Sequence, residues 1–121
     1  MNARQLLLRM AENNAWANAT LLRGCVALSG EDYRAKRTSF FPSIRATLEH
    51  NYLVDLYYLD ALERGGRGRA MYSEPEPTFE SAVLLAEAQR QIDRRLVAFV
   101  ASLIPAVRAS HVEPMQVLRE E

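Results

Sequence analysis

The fold of this chain is decided by two stretches, the first of which is Asn13-Asn14-Ala15-Trp16-Ala17-Asn18. The second is Ser39-Phe40-Phe41-Pro42-Ser43-Ile44-Arg45-Ala46-Thr47-Leu48-Glu49-His50. Each belongs to a long segment in which apolar residues recur every three or four positions, the period of an amphipathic α-helix. Period-two alternation, which is typical of half-buried strands, does not occur in the sequence. The sequence therefore predicts an all-α fold.

Three long helices are predicted. The first covers roughly residues 3–28, where Gly30 is a natural stop signal. The second covers roughly residues 39–64, with Pro42 in its first turn, where a missing N–H costs nothing. Its apolar residues surround most of its circumference, which predicts a central helix.

The third helix is predicted over roughly residues 79–104, with Thr78 as its N-cap and Pro105 as its end. A 13-residue connection, residues 65–77, precedes it and contains three Gly and two Pro. This composition predicts irregular structure. Residues 112–121 have room for one short helix only, so a fourth helix matching the other three is missing.

Composition places limits on function. A chain of 121 residues with 49% hydrophobic residues fits one domain, residues 1–121. Its 15 basic and 15 acidic residues give zero net charge, which removes the electrostatic argument for nucleic acid or an anionic membrane. Apolar runs are too short for a membrane span, and the N-terminus lacks a signal-peptide pattern. The single cysteine, Cys25, cannot form an internal disulfide and suits the cytoplasm.

The two stretches together resemble the DinB/YfiT-like family of bacterial four-helix bundles, many of which hold a divalent metal between helices. The resemblance covers roughly residues 1–104. It implies that His50, which ends the Thr47-Leu48-Glu49-His50 motif, is a metal ligand, and that the protein is a dimer. Some members of that family act on low-molecular-weight thiols.

The chain departs from the family pattern at its C-terminal end. The family's other two metal ligands come from an H-x-x-x-H pair near the start of the last helix, and this sequence has no such pair. Relative to the family the domain is therefore C-terminally incomplete, a bundle of three long helices with a short or truncated fourth. A site for Zn or Ni is expected to be weak or absent.

Two histidines are available as metal ligands. His50 lies in the apolar arc of the second helix, where a neutral imidazole either binds a metal or is an ordinary core histidine. His111 has no partner at helical spacing except Met115, and we expect it to be a surface residue.

Other polar and reactive side chains have competing interpretations. Asn14 and Asn18 share the apolar face of the first helix, where they either line a cavity or, as we favour, form a helix–helix hydrogen-bond network. Asp55 either supports a metal ligand or, more commonly for such a residue, pairs with an Arg of the third helix. Trp16 is expected at a rim or interface, and Cys25 as an inert thiol.

Two functional hypotheses follow. One is a DinB-like metal-dependent protein, related to thiol-dependent transferases and acting on a small molecule, with an incomplete metal site in this chain. The other is a non-catalytic helical module for oligomerisation or interaction. Whether the chain is an enzyme stays open. Three helices with wide apolar faces leave an uncovered seam, which predicts a homodimer.

Overall fold

The computed structural model describes the backbone of residues 1–111 and the side chains of residues 1–103. In this part of the chain the regular structure is helical throughout: α1 (Ala3–Val26), α2 (Gly30–Arg34), α3 (Ile44–Leu62), α4 (Ala70–Ser73) and α5 (Ala82–His111). The predicted all-α fold and its three long helices are therefore confirmed. No described helix has the length and apolar character needed to cross a bilayer. The short helix predicted within residues 112–121 lies outside the described residues.

The first helix begins with a capping box and ends slightly earlier than predicted. The Gln5 backbone N–H donates to Asn2 Oδ1 at 2.9 Å, and the Asn2 N–H donates back to Gln5 Oε1 at 2.9 Å. Gly30 is not merely a stop, because it begins α2. The Asp32 N–H donates to Ser29 Oγ at 3.0 Å, so Ser29 caps this new helix.

The second long helix begins later than predicted. Ser43 is its N-cap, since the Ala46 N–H donates to Ser43 Oγ at 2.9 Å. Pro42 therefore precedes the cap instead of lying in the first turn. Its carbonyl accepts a hydrogen bond from the Arg37 N–H at 2.7 Å, which folds residues 37–42 into a turn outside the helix.

The connection after α3 is more ordered than its composition predicts, because it contains the one-turn helix α4. Asp60 organises its beginning: its carbonyl accepts the Gly65 N–H at 2.8 Å and its carboxylate accepts the Arg67 N–H at 3.1 Å. A Cβ on Gly65 would lie 1.9 Å from Asp60 Oδ1, so a larger residue there would displace the carboxylate that accepts the Arg67 N–H.

Both predicted ends of the last helix are wrong. It begins at Ala82, and Ser81 rather than Thr78 caps it, since the Leu84 N–H donates to Ser81 Oγ at 3.3 Å. It continues through Pro105 to His111. A proline within a helix removes one N–H donor and costs about 3 kcal/mol, but good helix formers on either side can outweigh that cost.

The three long helices do not contact one another equally. α5 packs mainly against α1 and also against α3, whereas α1 and α3 contact each other little. Asn14 of α1 is bonded to Asp93, and Leu22 packs beside Leu85, so α1 and α5 run antiparallel. The central helix is therefore α5, not the second long helix as predicted. An open groove, the α1–α3 groove, separates the two outer helices.

The main hydrophobic core lies where the ends of α1, α2, α3 and α5 meet. Its buried members are Leu22, Cys25, Tyr33, Leu48, Ala82 and Leu85. Burial, together with the nearby charge of Glu49, raises the pKa of Tyr33 to about 12. The tyrosine is therefore a neutral packing residue at physiological pH.

Candidate functional site

His50 lies on α3 beside two loops. Its ring stacks on Phe41 with centroids 4.4 Å apart, and Nδ1 lies 3.5 Å from Glu76 Oε1. The His50 side chain is 29% exposed. Nδ1 itself is buried and makes no hydrogen bond. The atom is therefore an unused donor or acceptor beside a carboxylate.

A buried carboxylate next to this histidine anchors the segment that precedes α5. Glu49 is 7% exposed and accepts the Phe79 backbone N–H at 2.6 Å. Arg45, one turn earlier on α3, lies 3.3 Å from the other carboxylate oxygen. The hydrogen bond from Phe79 ties the segment before α5 to α3, and it explains how Glu76 comes within reach of His50. The carboxylate of Glu49 is fully engaged in that role.

The described residues do not form a complete metal site. They contain no group of three His, Cys, Asp or Glu side chains placed to share an ion. His50 and Glu76 supply one nitrogen and one oxygen donor, whereas protein sites for Zn²⁺ use at least three protein ligands. The side chain of His111 lies outside the described residues. The donor pair therefore does not fit a divalent metal by itself.

A second polar cluster lies at the bottom of the α1–α3 groove. Asp93 of α5 is 4% exposed and accepts hydrogen bonds from Asn14 Nδ2 at 3.4 Å and Asn18 Nδ2 at 2.9 Å. Gln89 Nε2 donates to Asp93 Oδ1 at 3.0 Å and to Asp55 Oδ2 at 2.9 Å. We call these five residues the amide–carboxylate network. It links all three long helices, and it contains the helix–helix hydrogen bonds predicted for the two asparagines.

Within the part of the chain whose side chains are described, both carboxylates of the network are hydrogen-bonded only to neutral amides. Burial raises the pKa of Asp55, the hydrogen bond from Gln89 lowers it, and the charge of Asp93 raises it further. The expected pairing of Asp55 with an Arg of the third helix is wrong, because its partner is the amide of Gln89.

The α1–α3 groove is open above this network. One section, of about 220 Å³, is lined by Asn14 and Asp55 together with Tyr58 and Leu62 of α3. Tyr58 is 62% exposed and Leu62 is 45% exposed. The groove therefore has a polar floor and apolar edges.

Two further residues lie where the sequence placed them. Trp16 is 67% exposed on α1. Cys25 is a buried free cysteine, and burial raises the pKa of its thiol, so the reactive thiolate is disfavoured. Neither residue belongs to the His50 pair or to the amide–carboxylate network.

Three residues of these two sites were not predicted from the sequence: Glu76, Gln89 and Asp93. A signal existed for the last two, because they are four residues apart within the apolar stripe of the third helix, where polar side chains need buried partners. No such signal existed for Glu76. It lies in a loop whose path is set by the Glu49–Phe79 contact.

The comparison with protein families agrees with this architecture. The sequence model of the DinB family matches residues 1–115. Because the match covers nearly the whole chain, the protein belongs to the DinB family. No curated protein and no solved structure shows significant similarity to the chain.

Proposed function

We propose that this member of the DinB family is a non-catalytic helical module that assembles as a homodimer through α1. The observation that carries the proposal is a row of side chains along α1, the α1 stripe, which consists of Leu7, Met10, Asn14, Ala17 and Leu21. Its members alternate between spacings of three and four residues, the pattern by which one helix packs on another.

The apolar members of the α1 stripe are exposed in the part of the chain whose side chains the structure describes. Leu7 is 48% exposed, Met10 is 59% exposed and Leu21 is 54% exposed. On α3, the exposed residues Tyr58 and Leu62 line the section of the α1–α3 groove that Asn14 of the stripe also lines. Exposed apolar side chains grouped along one face of a helix are uncommon on a soluble monomer and are typical of an interaction site.

A second copy of the chain is the occupant that the pattern favours. Two copies related by a two-fold axis would bury the stripe against itself, since an isologous interface uses the same surface twice. In this account the cytoplasm is the compartment, because the free thiol of Cys25 suits reducing conditions.

A matched pair of substitutions tests the proposal. Leu21→Glu places a charge in the α1 stripe, whereas Leu84→Glu places one at a similarly exposed position on α5, where the side chain is 53% exposed. Light scattering should give a mass of twice 13.7 kDa for the unmodified chain and for Leu84→Glu. Leu21→Glu should reduce it to the monomer mass. A dimer that survives Leu21→Glu would contradict the proposed interface.

A second candidate function is a divalent-metal-dependent activity on a small molecule, related to that of thiol-dependent transferases. The observation that favours it is the unpartnered Nδ1 of His50 beside Glu76. Zn²⁺ or Ni²⁺ would accept this nitrogen and oxygen pair, but further ligands are needed to hold either ion. For the described residues we therefore place this candidate second.

Metal titration separates the two candidates. Stoichiometric, tight binding of Zn²⁺ or Ni²⁺ that His50→Ala abolishes would favour the metal-dependent function over the non-catalytic module. A Glu76→Gln variant serves as the companion test, because it keeps the size of the side chain and removes its charge. Binding that is weak and equal in all three proteins would support the non-catalytic module.

A further inference from the structure

The α1 stripe is nearly symmetric about its own midpoint. Its apolar members lie seven and four residues before Asn14, at Leu7 and Met10, and three and seven residues after it, at Ala17 and Leu21. Asn14 is also the twelfth of the 24 residues of α1, so the stripe is centred on the helix. A second α1 turned end over end about Asn14 therefore presents its apolar side chains at the same levels as the first, to within one residue.

Two members of the stripe differ in size. Met10 is long and 59% exposed, whereas Ala17 is small and exposed. Beside them the surface has a shallow hollow of about 400 Å³, lined by Arg9, Met10, Asn13, Asn14 and Ala17. In an antiparallel pair of α1 helices, Met10 of each copy lies opposite Ala17 of the other, so a large side chain meets a small one. In a parallel pair Met10 faces Met10 and Ala17 faces Ala17, which crowds one level and leaves a gap at the next. Close packing therefore favours the antiparallel pair.

Arg9 is the charged residue at the edge of this hollow. It is exposed and is not ion-paired with any carboxylate among the residues whose side chains are described. A parallel pair places the two Arg9 guanidinium groups at the same level of the seam. An antiparallel pair separates their levels by about 15 Å, because each lies five residues from Asn14 and a helix rises about 1.5 Å per residue. That separation exceeds the Debye length of about 8 Å at physiological ionic strength, so their repulsion is largely screened.

We infer that the α1 helices of the proposed dimer pair in antiparallel orientation, with the two-fold axis beside Asn14. The inference rests on the proposed function, since it gives the register of the same interface. Leu7 of each copy packs on Leu21 of the other, and Met10 packs on Ala17. The two helices overlap along their full length, so each apolar member of the stripe has an apolar partner.

Two charges introduced into one chain test the register. Met10→Glu and Ala17→Lys should each weaken the dimer, because each places a charge in the apolar seam without a partner. In Met10→Glu/Ala17→Lys, antiparallel pairing brings each introduced carboxylate opposite an introduced ammonium of the other copy. The dissociation constant of this dimer should therefore be roughly tenfold lower than that of either single variant, measured by sedimentation equilibrium. The two positions are seven residues apart, beyond the spacing at which side chains of one helix pair.

Leu7→Glu/Ala17→Lys is the matched control. Antiparallel pairing places Leu7 opposite Leu21, so the two introduced charges do not meet and this variant should dimerise no better than Leu7→Glu or Ala17→Lys alone. In a parallel dimer like charges would face each other, and Met10→Glu/Ala17→Lys would dimerise more weakly than either single variant. That result, no recovery in Met10→Glu/Ala17→Lys, or equal recovery in both double variants would overturn the register.

Spin labels measure the register in a second way. Cysteines are introduced singly at the exposed positions Asn13, Thr20 and Gly24 in a Cys25→Ala background. Antiparallel pairing about Asn14 separates the paired positions along the helix axis by about 3, 18 and 30 Å respectively, so the distance between labels should increase in that order. A dimer with the same short distance at all three positions would overturn the antiparallel register alone. An unmodified chain that stays monomeric would overturn the register and the proposed function together.

Discussion

Two sides of the same helix, α1, are similarly apolar and are used in different ways. One side packs on α5 and buries Ala11, Leu22 and Cys25, each at 7% exposure or less. The side with the α1 stripe leaves Leu7, Met10, Ala17 and Leu21 exposed. Asn14, at the edge of the α1 stripe, and Asn18 bond to Asp93. The difference shows that amphipathic periodicity identifies the apolar surfaces of a helix. It does not distinguish a surface that packs within the chain from one that stays exposed.

The sharpest test of this difference compares two adjacent leucines. Leu22→Ala should lower the free energy of unfolding by about 2–5 kcal/mol, because it leaves a cavity in the core. Leu21→Ala should cost less, and its cost should grow with protein concentration, because that side chain is buried only in the proposed dimer. Urea denaturation at two protein concentrations measures both effects. If both substitutions lowered the free energy of unfolding equally at both protein concentrations, the two sides of α1 would not differ.

The next test concerns the hydrogen bonds at the border between the two sides of α1. Asp93→Ala should lower the free energy of unfolding by about 1–3 kcal/mol, because the amides of Asn14, Asn18 and Gln89 lose their shared acceptor. Asp93→Asn keeps one acceptor oxygen and the shape of the side chain, and it should cost less. If the alanine variant were as stable as the unmodified chain in chemical denaturation, the amide–carboxylate network would not hold the helices together.

A smaller, pH-dependent effect is expected at Asp55. Because the pKa of Asp55 is raised in the folded state, that state holds its proton more tightly than the unfolded state does. Stability contributed by this group is therefore present below its unfolded pKa and is lost as the pH rises through the folded pKa. Asp55→Asn should be more stable than the unmodified chain near neutral pH.

The advantage of Asp55→Asn should shrink as the pH falls into the acidic range. Thermal unfolding across that range measures it, with Asp60→Asn as the control at a carboxylate outside the network. A difference between Asp55→Asn and the unmodified chain that does not change with pH would show that Asp55 titrates as it does in the unfolded chain.

The smallest expected effect is at His50. A complete metal site at His50 would favour the metal-dependent function over the non-catalytic module. We expect little Zn²⁺ or Ni²⁺ binding in calorimetry, and no difference between the unmodified chain and His50→Ala. A complete structural zinc site yields roughly 10 kcal/mol or more, and two donors leave most of that unrealised.

Much of the fold could be predicted from the sequence, because helical periodicity is a local signal. The three long helices and the polar side of α1 that carries Trp16 follow from spacing alone. Helix ends were less predictable. Ser43 and Ser81 compete as caps with nearby residues, and Pro105 stops a helix only if its flanking residues do not favour continuation. The family assignment depends on two motifs, both of which lie within the residues that the family match covers.

The candidate sites were less predictable, because their residues come together through packing. Asn14 and Asn18 were identified from their place on an apolar face, but their acceptor Asp93 is 75 residues from Asn18. Glu76 approaches His50 only because a buried carboxylate anchors the loop that carries it. Tertiary placement of this kind is not encoded in the spacing of any single helix.

We propose that a second copy of the chain covers the α1 stripe. Sedimentation equilibrium of the unmodified protein over a wide range of concentrations tests it most directly. The account predicts a monomer–dimer equilibrium in which the dimer dominates at high concentration and Leu21→Glu shifts the chain to monomer. A mass that stays at 13.7 kDa at every concentration would contradict it.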